Sequence, residues 1–169
     1  MSLSDIELRP ASTNDENEIL LWRNDPITVS FTPKKNTVSR IEHREWFKKQ
    51  LQSESDLLLI AVIGDKKFGM VRFDLVEPSI NKYYEISINL DPSFRGKKFS
   101  SHLIDLGIEY LNDRKKIIFP IFAKISDENI PSLKSFKKSK FEKYQVNDND
   151  PYIKENVYEG WGYYIYNHT

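Results

Sequence analysis

YYEISINLDPSFRGKKFSSHLIDLGIEYL, residues 83–111, is the stretch on which the fold turns. Its first eight residues alternate, with Tyr84, Ile86, Ile88 and Leu90 on one face and Glu85, Ser87 and Asn89 on the other. Tyr83–Leu90 therefore reads as a strand with an apolar and a polar face. Asp91-Pro92-Ser93-Phe94-Arg95-Gly96 breaks the alternation. Phe99, Leu103, Leu106 and Tyr110 then follow at i, i+4, i+7 and i+11, the spacing of an amphipathic helix. Unpaired N–H groups at a helix N-terminus, backed by the macrodipole, attract an anion. Arg95, Lys97 and Lys98 add cations to the same turn, and Gly96 permits a positive φ. This unit predicts a phosphate or pyrophosphate site; the alternative is an ordinary strand-to-helix turn with solvated lysines. The polar face of the strand predicts the lining of a cleft, or else a solvated sheet face.

Upstream, Leu57–Ile63 and Lys67–Asp74 flank Gly64-Asp65-Lys66 and read as an antiparallel hairpin. Ile6–Arg9 is a first short strand ended by Pro10. Thr13 with Glu16, and Ser39 with Glu42, have the capping-box spacing and open two helices. The first carries Ile19, Leu20 and Trp22 and stops at Asp25-Pro26; the second carries Ile41, Trp46, Phe47 and Leu51 to about Gln52. Downstream, Ile117–Ile125 reads as a buried strand, Asn129-Ile130-Pro131 as the start of a helix carrying Leu133 and Phe136, and Phe141–Val146 and Glu159–Tyr166 as two last strands. The order β-α-α-β-β-β-α-β-α-β-β predicts an α+β fold: a mixed, largely antiparallel sheet flanked by helices, as one domain over residues 1–169.

Composition narrows the chemistry. The 169 residues include 3 Trp, 9 Tyr and 10 Phe, enough for a core despite a mean hydropathy of -0.57. No cysteine is present, which excludes disulfides, thiolate metal sites and a cysteine nucleophile. The 3 histidines, His43, His102 and His168, are too scattered to suggest a metal site. With 25 basic against 25 acidic residues, nothing global favours nucleic acid or an anionic membrane. Lys134, Lys137, Lys138 and Lys140 form a local basic patch that reads as a solvated helix face. The N-terminal residues have no apolar h-region, and the longest apolar run, Leu57–Ile63, is strand-sized, so a cytoplasmic location is expected.

Taken together, these residues resemble the GNAT superfamily of acetyl-CoA-dependent N-acetyltransferases over nearly the whole chain. In that family a strand and a proline turn lead into Arg/Gln-x-x-Gly-x-Gly/Ala at the start of the main helix. Here the stretch is Arg95-Gly96-Lys97-Lys98-Phe99-Ser100, with Lys98 and Ser100 in place of the two later pattern residues. The resemblance implies that the backbone of residues 95–101, Phe99, Ser100 and Ser101 included, cradles the coenzyme pyrophosphate. Asn129 and Ser132 match an Asn-x-x-Ala/Ser segment whose Asn contacts the pantetheine or the opposite strand. Lys140-Phe141 replaces a Gly-Phe, so the helix end lacks its usual left-handed glycine. Phe136 stands beside the coenzyme where many members carry a Tyr that protonates the departing thiolate; a phenyl ring cannot donate a proton, and core packing is its plain role.

The N-terminal third, Leu8-Arg9-Pro10-Ala11, Leu21-Trp22-Arg23-Asn24-Asp25-Pro26 and His43-Arg44-Glu45-Trp46-Phe47, is similar to the amino-sugar acetyltransferases of pseudaminic-acid-type pathways. Trp-Arg-Asn segments also occur in relatives acting on ribosomal-protein N-termini. The resemblance implies acetyl-CoA as co-substrate, no metal, and a small-molecule amine acceptor, with a nucleotide-linked amino sugar as the finer expectation; it leaves a homodimer open. Arg23, Asn24, Trp46 and Arg72 become the acceptor-binding expectations, with core anchoring the alternative for Trp22 and Trp46. The coenzyme is expected in a V-shaped gap between Tyr83–Leu90 and Ile117–Ile125. There the backbone of Ile88, Asn89 and Leu90 would polarise the thioester, and Glu85 would serve as general base, directly or through water. His43 is a second base candidate or an exposed helix-start histidine. The rival readings are a protein N-terminal acetyltransferase and a non-catalytic acyl-CoA-binding module.

Overall fold

The structure, a computed structural model, describes residues 5–78, 81–115, 119–153 and 158–167. Strand β1 (Ile6–Pro10) is followed by α1 (Glu16–Arg23), α2 (Pro26–Ser30) and α3 (Arg40–Gln52), then β2 (Leu57–Ile63), β3 (Lys66–Val76) and β4 (Tyr83–Leu90). Helix α4 (Phe99–Lys115), β5 (Ile121–Ser126), α5 (Ile130–Lys138), β6 (Phe141–Tyr144) and β7 (Trp161–Tyr166) complete it. The sheet has seven strands in the order β1-β2-β3-β4-β5-β7-β6, antiparallel at every junction except β4–β5. The expected α+β architecture with a strand-helix-strand crossover is therefore present.

Alternation along the strands divides the core between the two faces. Leu59, Val71, Phe73, Tyr84, Ile86 and Ile121 are buried in one cluster with Phe99, Leu103, Ile104, Ile108 and Leu111 of α4 and Phe136 of α5. Helix α4 lies close over β3: a Cβ on Gly107 would sit 2.8 Å from Cγ1 of Val71. On the opposite face Leu58, Ile60 and Met70 are buried with Ile19, Trp22 and Phe47, so α1 and α3 cover that side. The predicted spans of β2 and β4 and the antiparallel hairpin all hold.

Several boundaries differ from expectation. The first capping box lies one residue earlier than predicted, on Ser12 and Asp15 instead of Thr13 and Glu16. Asp15 is fully buried, receives both terminal nitrogens of Arg9 at 2.8 Å, and pairs with Lys67 at 2.9 Å. These two cations favour Asp15 as the box member. Asp25-Pro26 ends α1 as expected but also begins α2, because Oδ2 of Asp25 accepts from the Thr28 N–H and Pro26 suits the first helical turn. Ile41, predicted on the apolar stripe of α3, is 73% exposed. The fifth strand is described only from Ile121, and the expected residues 117 and 118 lie outside the described residues. Among the described residues no helix is long and apolar enough to cross a membrane.

Candidate active site

The site begins with the two edges of β4. Toward β3 the ladder runs unbroken from Val76↔Tyr83 to Gly69↔Leu90. Toward β5 it contains only Tyr84↔Ile121 and Glu85↔Phe122. The Tyr84 N–H donates to the Pro120 carbonyl on the β5 side, and the Asp91 N–H donates to the Phe68 carbonyl on the β3 side. Since N–H direction alternates along a strand, even-numbered residues of β4 face β5 and odd-numbered ones face β3. Past the last pair with β5, the N–H groups of Ile88 and Leu90 therefore face the widening gap. The backbone of Asn89 does not: it belongs to the β3 ladder, which corrects its place among the expected backbone contacts.

The turn after β4 brings the helix N-terminus to the mouth of this gap. Asp91 accepts from the Ser93 N–H at 2.8 Å and from Trp22 Nε1 at 3.3 Å. Burial works against its charge, but these donors hold its carboxyl below the usual carboxylate range. Gly96 has φ +73°, and Lys98 also adopts a left-handed φ of +65°. The lysine thus takes the backbone shape a glycine would adopt in the family pattern. Lys140 does the same at the end of α5, with φ +63°, so the helix keeps its left-handed cap without a glycine. The first N–H groups of α4, those of Phe99, Ser100 and Ser101, have no intrahelical acceptor by helix geometry.

Two of the three cations of the turn, Arg95 and Lys97, are engaged within the protein instead of standing free to meet an anion. Arg95 Nη1 donates to Asp25 Oδ2 at 2.6 Å, and Nη2 donates to Thr28 Oγ1 at 2.9 Å and the Leu90 carbonyl at 3.3 Å. Thr28 Oγ1 also lies 3.3 Å from Asn89 Oδ1. Arg95 and the Thr28 N–H hold the Asp25 carboxyl below its ordinary value, against a contrary push from burial. Lys97 Nζ donates to the Ser93 carbonyl at 2.7 Å. Arg95 therefore ties α2 to the turn.

The polar face of β4 continues onto β3. Arg72 pairs in register with Ser87, and Asp74 with Glu85. Arg72 Nε lies 2.8 Å from Asp74 Oδ2, its guanidinium is 5.4 Å from the Trp46 ring centre, and Gln50 Nε2 donates to Asp74 Oδ1 at 3.1 Å. Burial pushes the Asp74 carboxyl up, with Arg72 and Gln50 opposing. Glu85 and Trp46 are half-buried. Other expected residues sit elsewhere or do other work. His43 is 2% exposed, not an exposed helix-start residue; its Nε2 lies 3.0 Å from the Glu16 carbonyl, so that nitrogen carries the proton. Burial pushes its pKa down. Asn24 spends its amide on Val38, donating to the carbonyl and accepting from the N–H, both at 2.8 Å. Asn129 caps α5 by accepting from the Ser132 N–H at 3.2 Å. Phe136 is buried edge-on against Phe141, with ring centres 4.9 Å apart. Trp22 is a core residue, the alternative given for it from sequence.

Sequence reasoning missed Asp25, Thr28 and Asp74. Asp25 read only as part of the stop that ends the first helix, Thr28 had no reading, and Asp74 looked like a strand end. The basic patch on α5 is exposed at Lys134, Lys137, Lys138 and Lys140. Its last two lysines border a cavity of about 420 Å³ whose opposite wall includes Asp105, Glu109 and Asp113 of α4. Among the described residues no group of three His, Asp or Glu side chains could hold a metal ion.

An open parallel seam beside a helix N-terminus defines a class as well as a shape. The model of the family described as acetyltransferase (GNAT) domain matches residues 5–142, and the chain belongs to that family of acetyl-CoA-dependent N-acetyltransferases. The spermidine N-acetyltransferase of Vibrio cholerae, solved with CoA and spermine, superposes with a TM-score of 0.76 at 18% identity, covering 96% of this chain and 95% of that one. The aminoglycoside acetyltransferase AAC(6')-Ib, solved with ribostamycin and coenzyme A, gives 0.78 at 17% identity, covering 97% and 94%. A domain from Methanocaldococcus jannaschii gives 0.73 at 21% identity, covering 95% and 96%. No curated protein matches the chain.

Proposed function

We propose that this protein transfers the acetyl group of acetyl-CoA directly to a primary amine of a small molecule, with an amino sugar as the finer reading. The observation that carries the proposal is the open edge of β4 beyond Glu85↔Phe122, next to the N-terminus of α4. In this reading the amides of residues 96–101 hold the pyrophosphate. The N–H groups of Ile88 and Leu90 face the thioester carbonyl and steady the oxyanion as the amine attacks. One ammonium proton first passes to Glu85, directly or through water, and the neutral amine forms the C–N bond; the C–S bond then breaks, and the second nitrogen proton ends on the departing CoA thiolate. The chain has no cysteine, which favours a ternary complex over an acetyl-cysteine enzyme. His43 and Asn24 serve the scaffold, since their polar atoms are engaged within it. The structural relatives solved with CoA and with spermine or ribostamycin support a small-molecule amine over a polypeptide.

Calorimetric titration with acetyl-CoA, with desulfo-CoA and ATP as controls, tests the coenzyme half of the proposal. Saturable binding specific to the CoA scaffold is expected; its absence would overturn the reading. Glu85→Gln tests the chemical half: turnover is expected to fall by about 10²-fold or more with acetyl-CoA affinity unchanged. Undiminished turnover removes Glu85 from the mechanism.

A further inference from the structure

Within a strand, the N–H and C=O of one residue point to the same side. The C=O of Leu90 therefore faces the gap together with its N–H, where a neighbouring strand would normally supply a donor. Arg95 Nη2 supplies it instead, at 3.3 Å. The same nitrogen donates to Thr28 Oγ1 at 2.9 Å, and Nη1 donates to Asp25 Oδ2 at 2.6 Å. Acceptors on two segments thus fix the planar guanidinium, and the Asp25 carboxylate balances its charge. The side chains of Arg95 and Asp25 are 25% and 15% exposed, so the pair is largely withdrawn from water.

The surroundings of Leu90 are held as well. The Asp91 N–H belongs to the same peptide plane as the Leu90 carbonyl and points the other way, donating to the Phe68 carbonyl at 2.8 Å. With Arg95 on one end and β3 on the other, that plane cannot rotate without breaking a hydrogen bond. Thr28 Oγ1 lies 3.3 Å from Asn89 Oδ1, and Trp22 Nε1 donates to Asp91 Oδ2 at 3.3 Å. On the gap side, where the β5 ladder has ended at Glu85↔Phe122, Arg95 takes over the work of a partner strand.

We infer that Arg95 is a positioning residue for the thioester site: held by Asp25 and Thr28, it caps the Leu90 carbonyl and keeps the Leu90 N–H aimed at the acetyl oxygen. The inference rests on the acetyl-transfer reading above. It gives the arginine of the turn a part in polarising the thioester and none in binding phosphate. An uncapped carbonyl would be free to swing, and would set an unsatisfied negative dipole beside the developing oxyanion.

The test reads the carbonyl stretch of acetyl-CoA, isotope-labelled at the acetyl carbonyl and bound at saturation to the full chain, by infrared difference spectroscopy. Calorimetry gives the affinity and a thermal melt reports folding; no acceptor amine is needed. In the wild type the band is expected at lower frequency than in free acetyl-CoA, because a hydrogen bond weakens the C=O bond. Arg95→Met is expected to lose most of that shift while affinity changes by less than about tenfold. Arg95→Lys should restore part of the shift, and Thr28→Val, which leaves every charge in place, should lose a smaller share. A phosphate ligand behaves otherwise: Arg95→Met would weaken acetyl-CoA by about 10- to 100-fold and leave the band of the bound coenzyme in place. An unmoved band in Arg95→Met, or in Thr28→Val if Arg95→Met does not fold, overturns the positioning role and leaves the acetyl-transfer reading standing. A bound wild-type carbonyl with no shift overturns the positioning role together with the oxyanion step. Failure of the wild-type chain to bind acetyl-CoA overturns the whole reading.

Discussion

Strand β4 has one closed edge and one open edge, built from the same eight residues. Toward β3, pairing runs from Tyr83 to Leu90; toward β5, it stops after Glu85. The closed edge spends the N–H groups of Glu85, Ser87 and Asn89 on structure. The open edge leaves those of Ile88 and Leu90 directed at a gap. An unpaired strand edge is normally a liability. Here it lies inside the sheet, because β5 turns its other edge to β7 over Phe122–Ser126. Position in the sheet, not residue type, separates backbone that stabilises from backbone available for chemistry.

A pair of proline substitutions at adjacent residues would break this comparison most sharply. Asn89→Pro removes an N–H from the β3 ladder and is expected to cost about 3 kcal/mol or more of stability. Ile88→Pro removes an N–H that faces the gap. It is expected to leave a higher melting temperature than Asn89→Pro but to lower kcat by about 10²- to 10³-fold. Thermal melts and CoA release read the two effects, and equal melting temperatures would contradict the assigned edges.

The closed half of the sheet has its own anchor in Asp15, held by Arg9 and Lys67. Asp15→Asn is expected to cost about 3 kcal/mol near neutral pH, in the range for breaking a buried ion pair. Although burial opposes it, these partners and the Ser12 N–H hold the Asp15 carboxyl below its ordinary value. The unfolded chain then binds more protons through the acid range. Stability from Asp15 is present above the ordinary carboxylate value and is lost as pH falls toward the folded value. Asp74 has the opposite sign: its raised value contributes stability at low pH that is lost as pH rises through the folded value. Urea unfolding across pH should therefore show a flatter acid limb for Asp15→Asn than for wild type.

The smallest effects are expected at the two left-handed lysines. Lys98→Gly and Lys140→Gly should each relieve strain of about 1 kcal/mol, less the entropy that glycine adds to the unfolded chain. Only Lys98, beside the open edge, should alter acetyl-CoA affinity. An equal change at Lys140 would place the coenzyme elsewhere.

These contrasts explain what could be read from the sequence. The span of β4, the hairpin and the Ser39–Glu42 box depend on neighbours within a few residues, and local periodicity reveals them. The choice between Ser12–Asp15 and Thr13–Glu16 was not local, since Lys67 on β3 helps decide it. Arg95 looked like a phosphate ligand because its partner Asp25 lies 70 residues away. His43 could be read as a base or as exposed because its burial requires α1 to lie across α3. Lys98 and Lys140 kept glycine-like backbone shapes where residue identity pointed away from them. In each case the missing information was a tertiary partner or a conformation imposed by the fold.

Arg95 also sets the terms on which this turn could be inherited or transplanted. Its contacts join Asp25 and Thr28, at the start of α2, to Leu90, and Thr28 reaches Asn89 in turn. The turn of a relative, grafted after β4, would arrive without the start of α2 to which this one is tied. Residues 25, 28, 89 and 95 therefore form one unit of exchange, and a chimera that respects it must carry the start of α2 and the turn together.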